Sequence, residues 1–300
     1  MLIYEKMQTE KFSEAEQLLV NYMLEHPEHL NEMTVSEMAK ATHTNATSLI
    51  RVAKKLGFDG WRDLRRQYLE EWETLSTHFN DIDVNIPFSA HDDPATVAKK
   101  LATVEMEAIQ ETRQMLNYED LVTCQHLLQQ KSNLLVFANF ENRFIGHSLV
   151  EKTRRIGLNS ALANNYGLGM YEAYLANPTE TLAVMFSYTG EGDEILRPLH
   201  ILKQRGIPVI AITSMGDNSL EQDSTVALRI STHERLFSKI STFSTNLSMK
   251  YLSDLLYSLY FMADYNHNWH TVLRSGERWD HRLASTSIIE GRGVDHVGPF

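Results

Sequence analysis

The sequence predicts an all-α domain followed by an α/β domain with a doubly wound parallel sheet. Residues 1–77 carry apolar side chains at helical spacing. From Asn133 onward, short apolar runs rich in Val, Ile and Phe alternate with helical segments. Such runs are apolar on both faces, which is typical of parallel strands covered by helices on both sides. A length of 300 residues is also sufficient for two domains.

Helix start and stop signals locate the outer helices of the first domain. Ser13 and Glu16 form a capping box, and Pro27 ends the helix that they open near His26. Another helix is predicted from Trp61 to about residue 77, where apolar side chains again recur at helical spacing.

The segment between these helices, residues 34–60, predicts two short helices around a tight turn. Thr34 and Glu37 form a second capping box. Thr44 is predicted to cap the second helix with its hydroxyl, and Gly57 is predicted to end that helix in the left-handed conformation. The start and outer face of the second helix carry groups suited to base edges and phosphates, namely Thr44, Asn45, Thr47, Ser48, Arg51, Lys54 and Lys55.

Two interpretations of this segment stay open: a helix-turn-helix that reads the major groove of DNA, and an ordinary helix pair in an all-α domain. Between Arg51 and Arg66 there are six basic and two acidic residues, a local net charge of +4. The whole chain carries −11, which argues against a protein that coats nucleic acid but permits a local DNA-binding patch. The basic cluster beside the motif favours phosphate contacts.

Composition limits the class of protein. The hydrophobic fraction of 43% and charged fraction of 22% are those of an ordinary globular protein. The single cysteine, Cys124, excludes an internal disulfide, favours a cytoplasmic location and is expected to be buried. No apolar run suits a signal peptide or a membrane span. We expect no cofactor and no metal, because His267 and His270 lack further ligands nearby.

A linker is predicted at residues 78–93, where Pro, Asn and Asp interrupt any helical period. We expect the first domain at 1–77, the second at 94–286 and a tail at 287–300. Helices are predicted at 94–116, 118–130, 143–156, 194–204 and 242–264, and strands at 134–138, 160–163, 181–186, 208–213 and 225–230.

The loop after the third predicted strand, residues 187–193, combines two hydroxyls and two glycines just before a helix. Ligands of parallel sheets bind at the carboxyl ends of the strands. Backbone N–H groups at a helix start attract phosphate, so the loop is a candidate phosphate site. An ordinary glycine-rich turn is the alternative.

Taken together, these pieces resemble the RpiR-type transcriptional regulators, in which a helix-turn-helix domain precedes a sugar isomerase (SIS) domain. The resemblance spans about residues 10–265 and rests on the order of segments 39–51, 54–58, 60–64, 155–157, 186–191 and 205–213. It implies a cytoplasmic bacterial regulator of sugar catabolism. Its partners would be duplex operator DNA and a phosphosugar effector.

The resemblance also implies the ligand residues of the phosphate loop. Ser187 and Thr189 match the family's hydroxyls, and Gly190 and Glu191 lie between them and the following helix. A third hydroxyl that is usual in this loop is replaced here by Gly192.

The loop after the first predicted strand departs from the family's Gly-rich loop with a serine. Asn142 takes the place of that serine, and Arg143 follows it. Arg143 would give a charge-assisted bond to phosphate or would pair with Glu141 or Glu151 at the surface.

Two functions of different class follow: a ligand-controlled transcription factor, and a sugar-phosphate isomerase or lyase with an accessory helical domain. An isomerase needs a general base near the sugar carbons. Glu191 and Glu194 are nearby, but neither has an evident partner. Because catalysis has no use for a basic recognition helix, we favour the regulator and assign no catalytic residue.

Residues 242–264 are apolar on more than one face of the predicted helix. This pattern predicts a contribution to the interface of a dimer or tetramer. A helix enclosed within the core of the second domain is the alternative.

Overall fold

The computed structural model describes residues 3–31, 33–76, 82–163, 167–279 and residue 285. The described residues form two compact units. The first comprises those up to residue 115 together with 214–218 and 229–247, and the second comprises the others.

The first unit begins with short helices that share one apolar core. Their bounds are α1 Ile3–Thr9, α2 Glu14–Glu25, a 3-10 turn Pro27–Asn31, α3 Val35–Ala41, α4 Ala46–Lys55 and α5 Trp61–Ser76. Leu19, Met38, Leu49 and Leu64 are fully buried where these helices meet. The predicted helices are confirmed. The short helix α1 was not predicted from the sequence. Its first N–H groups donate to the carboxylate of Glu71, which is distant in the chain.

The turn before α4 differs from the prediction in one respect. Thr44 was expected to cap α4, but the N-cap is Asn45, whose side-chain oxygen accepts from the Ser48 N–H at 3.0 Å. Asn45 has the extended backbone that puts its side chain within reach of that N–H, whereas the Thr44 hydroxyl bonds to that of Thr42. The left-handed Gly57 (φ 92°) and the Thr34–Glu37 capping box are confirmed.

The helix α6, Pro94–Gln114, belongs to the first unit together with residues 229–247. The buried Glu111 carboxylate accepts a bond from the Ser231 hydroxyl at 2.7 Å and contacts His233 Nε2 at 2.8 Å. Asn85, within the predicted linker, is also buried, and its side-chain oxygen accepts from the Arg235 N–H at 2.6 Å. Part of that linker therefore packs against the segment after residue 233.

The predicted domain boundaries stay a prediction. Residues 77–81 of the first domain and linker, and the tail 287–300, lie outside the described residues.

The parallel sheet predicted from the apolar runs is confirmed. The remaining elements are α7 Tyr118–Gln130, β1 Asn133–Ala138, α8 Asn142–Arg155, β2 Asn159–Leu162, α9 Gly167–Leu175, β3 Thr181–Ser187, α10 Asp193–Gln204, β4 Val209–Ser214, α11 Ser219–Asp223, β5 Val226–Ile230, α12 Phe243–Ala263 and α13 Tyr265–Trp279. The strand order is β2-β1-β3-β4-β5. Ala138 pairs with Phe186 and Ser187 with Thr213, so β1, β3 and β4 end at one edge.

The helices α9, α11 and α13 were not predicted from the sequence. Glycines interrupt the start of α9, α11 has only five residues, and α13 is largely polar, so none shows a long apolar period. The side chain of Asn268 in α13 is nevertheless buried and donates to the Phe261 carbonyl at 2.9 Å.

Cys124 is buried in α7, as predicted. Burial raises the pKa of its thiol to about 12, so the thiol stays protonated and unreactive. Within the described ranges, no helix has the length and apolarity needed to cross a bilayer.

Candidate functional site

The first candidate surface is the outer face of α4. Asn45, Thr47, Arg51 and Lys54 are exposed there, as the sequence predicted. Ile50 lies on the same face and is 50% exposed, which sequence analysis missed because it considered only polar side chains. The spacing of Thr47, Ile50, Arg51 and Lys54, one helical turn apart, was the available signal.

Two residues predicted on that face are used differently. The predicted outward orientation of Ser48 is wrong: it is 6% exposed and its hydroxyl lies 3.3 Å from the Asn45 side-chain oxygen. Lys55 donates to the buried Glu16 carboxylate at 2.6 Å and to the Lys11 carbonyl at 3.2 Å. The Lys55 ammonium therefore ties α4 to the start of α2.

The bond from Lys55 holds the pKa of Glu16 at about 2, below its ordinary 4.5. Because this pKa is lower in the folded protein than in the unfolded chain, the ionised Glu16 carboxylate stabilises the fold above pH 4.5. The stabilisation is lost as pH falls toward 2. We expect Lys55→Met to lower the free energy of unfolding by about 1–3 kcal/mol at pH 7, less than for a fully buried pair. The Lys55 side chain is 39% exposed, which weakens the pair.

Urea denaturation followed by circular dichroism measures this effect, and the variant and wild type should converge as pH falls from 4.5 toward 2. Lys54→Met is the matched control. Its ammonium is 3.9 Å from the exposed Asp59 carboxylate, so we expect a loss of roughly 0.5 kcal/mol or less. Equal losses in the two variants would contradict the structural role of Lys55.

The other basic residues of the cluster between Arg51 and Arg66 lie on α5. Arg65 donates to the Met33 carbonyl at 2.9 Å, and Arg66 pairs with Asp63 and Glu70. Arg62 is exposed. Some of the basic side chains between Arg51 and Arg66 thus form bonds within the domain.

The second candidate surface is the loop Ser187–Gly192, between β3 and α10. Gly190 has a φ of 65°, which glycine adopts without strain, and its N–H lies 3.2 Å from the buried Ser187 Oγ. The Gly190 carbonyl accepts from the Leu220 N–H at 3.0 Å, and Thr189 is exposed. Gly192 is the N-cap of α10 and supplies no side-chain cap. The loop therefore presents hydroxyls beside a helix start whose amides lack an N-cap side chain.

Three carboxylates flank this loop, those of Glu191, Asp193 and Glu194. The Glu191 carboxylate accepts from the Ser219 N–H at 2.7 Å and from the Ser219 hydroxyl at 2.8 Å. Asp193 pairs with Arg197 at 2.7 Å. The charges of Glu191 and Asp193 are thus engaged by protein groups, which reduces their repulsion of an anion at the loop. The Glu194 carboxylate lies over Gly192 at the start of α10.

The loop after β1 reaches the same edge of the sheet, because β1 and β3 are parallel neighbours. Its tight turn places Phe140 at φ 50°, a position that favours glycine, and the Asn142 N–H donates to the Asn139 carbonyl at 3.1 Å. Arg143 donates to the carbonyls of Ala163 at 3.1 Å and Ala138 at 3.5 Å. The structure therefore brings both predicted loops together at one edge.

These features define a class: a helix-turn-helix protein with a parallel α/β domain that has a hydroxyl- and glycine-rich loop at its carboxyl edge. Residues 1–74 match the helix-turn-helix domain of the rpiR family, and residues 127–253 match the SIS domain. The chain belongs to the RpiR-type helix-turn-helix regulators that carry an SIS domain.

Relatives of similar length are described as HTH-type transcriptional regulators. An uncharacterized HTH-type transcriptional regulator of Caldanaerobacter subterraneus subsp. tengcongensis is 24% identical over 255 residues, 85% of this chain and 88% of its own. One from Bacillus subtilis is 22% identical over 249 residues, 82% of this chain and 85% of its own.

Two solved structures share the fold. The NanR protein of Vibrio vulnificus, in complex with ManNAc-6P, has a TM-score of 0.57 at 17% identity and covers 92% of this chain and 97% of its own. The sugar isomerase domain of an RpiR transcription factor from Sphaerobacter thermophilus has a TM-score of 0.52 at 15% identity, covering 60% and 98%.

Proposed function

We propose that this protein regulates genes of sugar catabolism in the cytoplasm, and that a phosphosugar controls its binding to duplex operator DNA. The loop Ser187–Gly192 is the observation that carries the proposal. The hydroxyls of Ser187 and Thr189 and the first amides of α10 would bind the phosphate, favoured by the helix dipole. Asn142 and Arg143 lie in the neighbouring loop at the same edge. The NanR structure, which contains a sugar phosphate, supports this ligand class.

On DNA, α4 is proposed to lie in the major groove. Asn45 and Thr47 would contact base edges, and Arg51 and Lys54 would contact bases or phosphates. The exposed Ile50 adds an apolar group suited to the methyl of thymine.

A single recognition helix reads only a few base pairs, so we propose a symmetric oligomer on a palindromic operator. In α12, Met249, Leu252 and Leu256 are buried within the chain, whereas Met262 is 55% exposed. The exposed part is available for the predicted interface. Light scattering at micromolar concentration tests this, and a monomer would reject it.

Ser187→Ala with Thr189→Ala should abolish the effect of the sugar on DNA affinity and leave DNA binding without ligand intact. The physical reason is that a ligand shifts an equilibrium only by its differential affinity for the two states, and the variant loses that affinity. Fluorescence anisotropy with labelled DNA measures affinity with and without ManNAc-6P, glucose 6-phosphate and other sugar 6-phosphates.

The matched control, Thr103→Ala with Thr123→Ala, removes two hydroxyls that donate to carbonyls of their own helices. We expect this control to respond to the sugar like the wild type. Wild-type sugar affinity in the Ser187 and Thr189 variant would place the phosphate elsewhere. Loss of its DNA binding without ligand would mean that the loop supports the fold.

A further inference from the structure

A small cavity lies at the carboxyl edge of the sheet, between the loop after β1 and the first turn of α10. Its volume is about 10 Å³, which is room for roughly one water-sized oxygen atom. Most of the lining is apolar or backbone, contributed by Phe137, Ala138, Ala163, Gly169, Ile195 and Pro198. Asn139 and Glu194 supply the polar side chains.

Asn139, which lines this cavity, carries a buried hydrogen-bond donor on its side chain. Its Nδ2 atom is inaccessible to solvent and has no hydrogen-bond partner among the described residues. Buried amide donors are normally paired, because desolvation without a replacement bond is unfavourable. The Asn139 carbonyl is bonded to the Asn142 N–H, which fixes the loop on which this side chain stands. The unpaired Nδ2 is therefore a donor that an acceptor placed in this cavity would satisfy.

Glu194 brings an acceptor to the same cavity. A Cβ atom built on Gly192 would lie 2.7 Å from Glu194 Oε1, so the carboxylate is folded back over the first turn of α10. The helix dipole favours a negative charge there. The position that usually carries a third hydroxyl in this family is glycine here, which leaves space for the carboxylate.

A donor and an anionic acceptor beside a space for one oxygen atom are complementary to a hydroxyl group. A hydroxyl accepts one bond and donates another. A phosphate oxygen would accept from Asn139 but would be repelled by the Glu194 carboxylate. The cavity therefore suits a neutral hydroxyl better than a phosphate oxygen.

We propose that one hydroxyl of the bound sugar enters this cavity, accepts a hydrogen bond from Asn139 Nδ2 and donates one to the Glu194 carboxylate. This inference rests on the proposed function, that a phosphosugar binds at this edge. It makes Asn139 and Glu194 the residues that discriminate between sugars, whereas the phosphate loop recognises the group that all phosphosugars share.

Calorimetry with matched ligands and variants tests the inference. Glucose 6-phosphate, N-acetylglucosamine 6-phosphate and ManNAc-6P are titrated into the full chain first, followed by the monodeoxy analogues of the tightest binder. Inorganic phosphate reports on the loop alone. The variants are Asn139→Ala and Glu194→Gln, with Asn133→Ala at the opposite end of β1 as the control asparagine.

We expect one monodeoxy analogue to bind the wild-type protein at least about tenfold more weakly than its parent sugar phosphate. The hydroxyl that this analogue lacks would otherwise pair with the buried groups of Asn139 and Glu194. Asn139→Ala and Glu194→Gln should each weaken binding of the parent sugar phosphate by a similar factor. The affinities of both variants for that analogue and for inorganic phosphate should stay within about twofold of the wild-type values. Asn133→Ala should change none of these affinities.

The inference is overturned if both variants bind the parent, the analogue and phosphate more weakly by the same factor, or if neither variant binds any of them more weakly. The proposed function stands in either case. If wild type binds none of the sugar phosphates at millimolar concentration, the proposed function fails and the inference fails with it. Thermal melting checks that each variant is folded. If Asn139→Ala does not fold, Glu194→Gln decides the outcome.

Discussion

Replacing Glu234 by alanine should lower the free energy of unfolding by about 3–5 kcal/mol, the cost of breaking a buried ion pair. The Glu234 side chain is fully buried. It accepts from the backbone N–H groups of Ser244 and Thr245 at 2.7 and 3.1 Å, and from both of their hydroxyls. Lys239, whose side chain is 13% exposed, donates to it at 3.0 Å. Alanine would leave the start of α12 uncapped and the Lys239 ammonium without this counter-charge.

Chemical denaturation gives the overall loss, and hydrogen exchange at the first amides of α12 gives the local loss. Glu234→Gln keeps one acceptor oxygen and the shape of the side chain, so we expect an intermediate effect. Asp193→Ala is the control: its pair with Arg197 is exposed, and its loss should cost about 1 kcal/mol or less. A loss below roughly 1 kcal/mol in Glu234→Ala would show that this cluster does not hold the helix start.

The double variant Arg51→Ala with Lys54→Ala should weaken operator binding by about 30-fold or more, since each contact is expected to contribute about 1–3 kcal/mol. If a side chain contacts phosphate, the slope of log affinity against log salt should also fall by about 1 for that contact. Fluorescence anisotropy measures both on a duplex that the wild-type protein has selected from a random library. Circular dichroism confirms that the variant is folded.

Lys99→Ala, an exposed lysine on α6, is the control for loss of positive charge and should bind like wild type. Ile50→Ala separates base reading from charge, because it should relax preference at a thymine while leaving the salt slope unchanged. Unchanged affinity in the Arg51 and Lys54 variant would reject α4 as the recognition helix.

Local signals were sufficient for much of the fold. Capping boxes, stop residues and apolar spacing involve groups within a few residues of each other, so they can be read along the chain. This is why the start of α3 at Thr34, the end of α4 at Gly57 and the strand before Ser187 were all predicted. The position of the loop Ser187–Gly192 followed from the same signals, since the carboxyl end of a strand is known once the strand is known.

The bonds that individual polar side chains form could not be predicted from the sequence. Ser48 and Lys55 have the composition of a DNA-binding face, but Ser48 turns to the cap at Asn45 and Lys55 to Glu16. The bond of Lys55 joins residues 39 positions apart, and no spacing rule covers such a pair. Polar composition alone therefore did not reveal these two intramolecular bonds, and it gave no sign of the exposed, apolar Ile50 on the outer face of α4.

The sequence by itself determined the two kinds of domain, the helix-turn-helix, the strand runs and the loop of Ser187 and Thr189, because short-range periodicity and backbone preferences specify them. Only the tertiary structure decided that Asn85 packs beside Arg235, that Glu234 caps α12 and that Asn139 and Glu194 share a cavity. These arrangements depend on which distant segments meet when the apolar surfaces are buried. That choice is made by packing over the whole unit, and no local pattern records it.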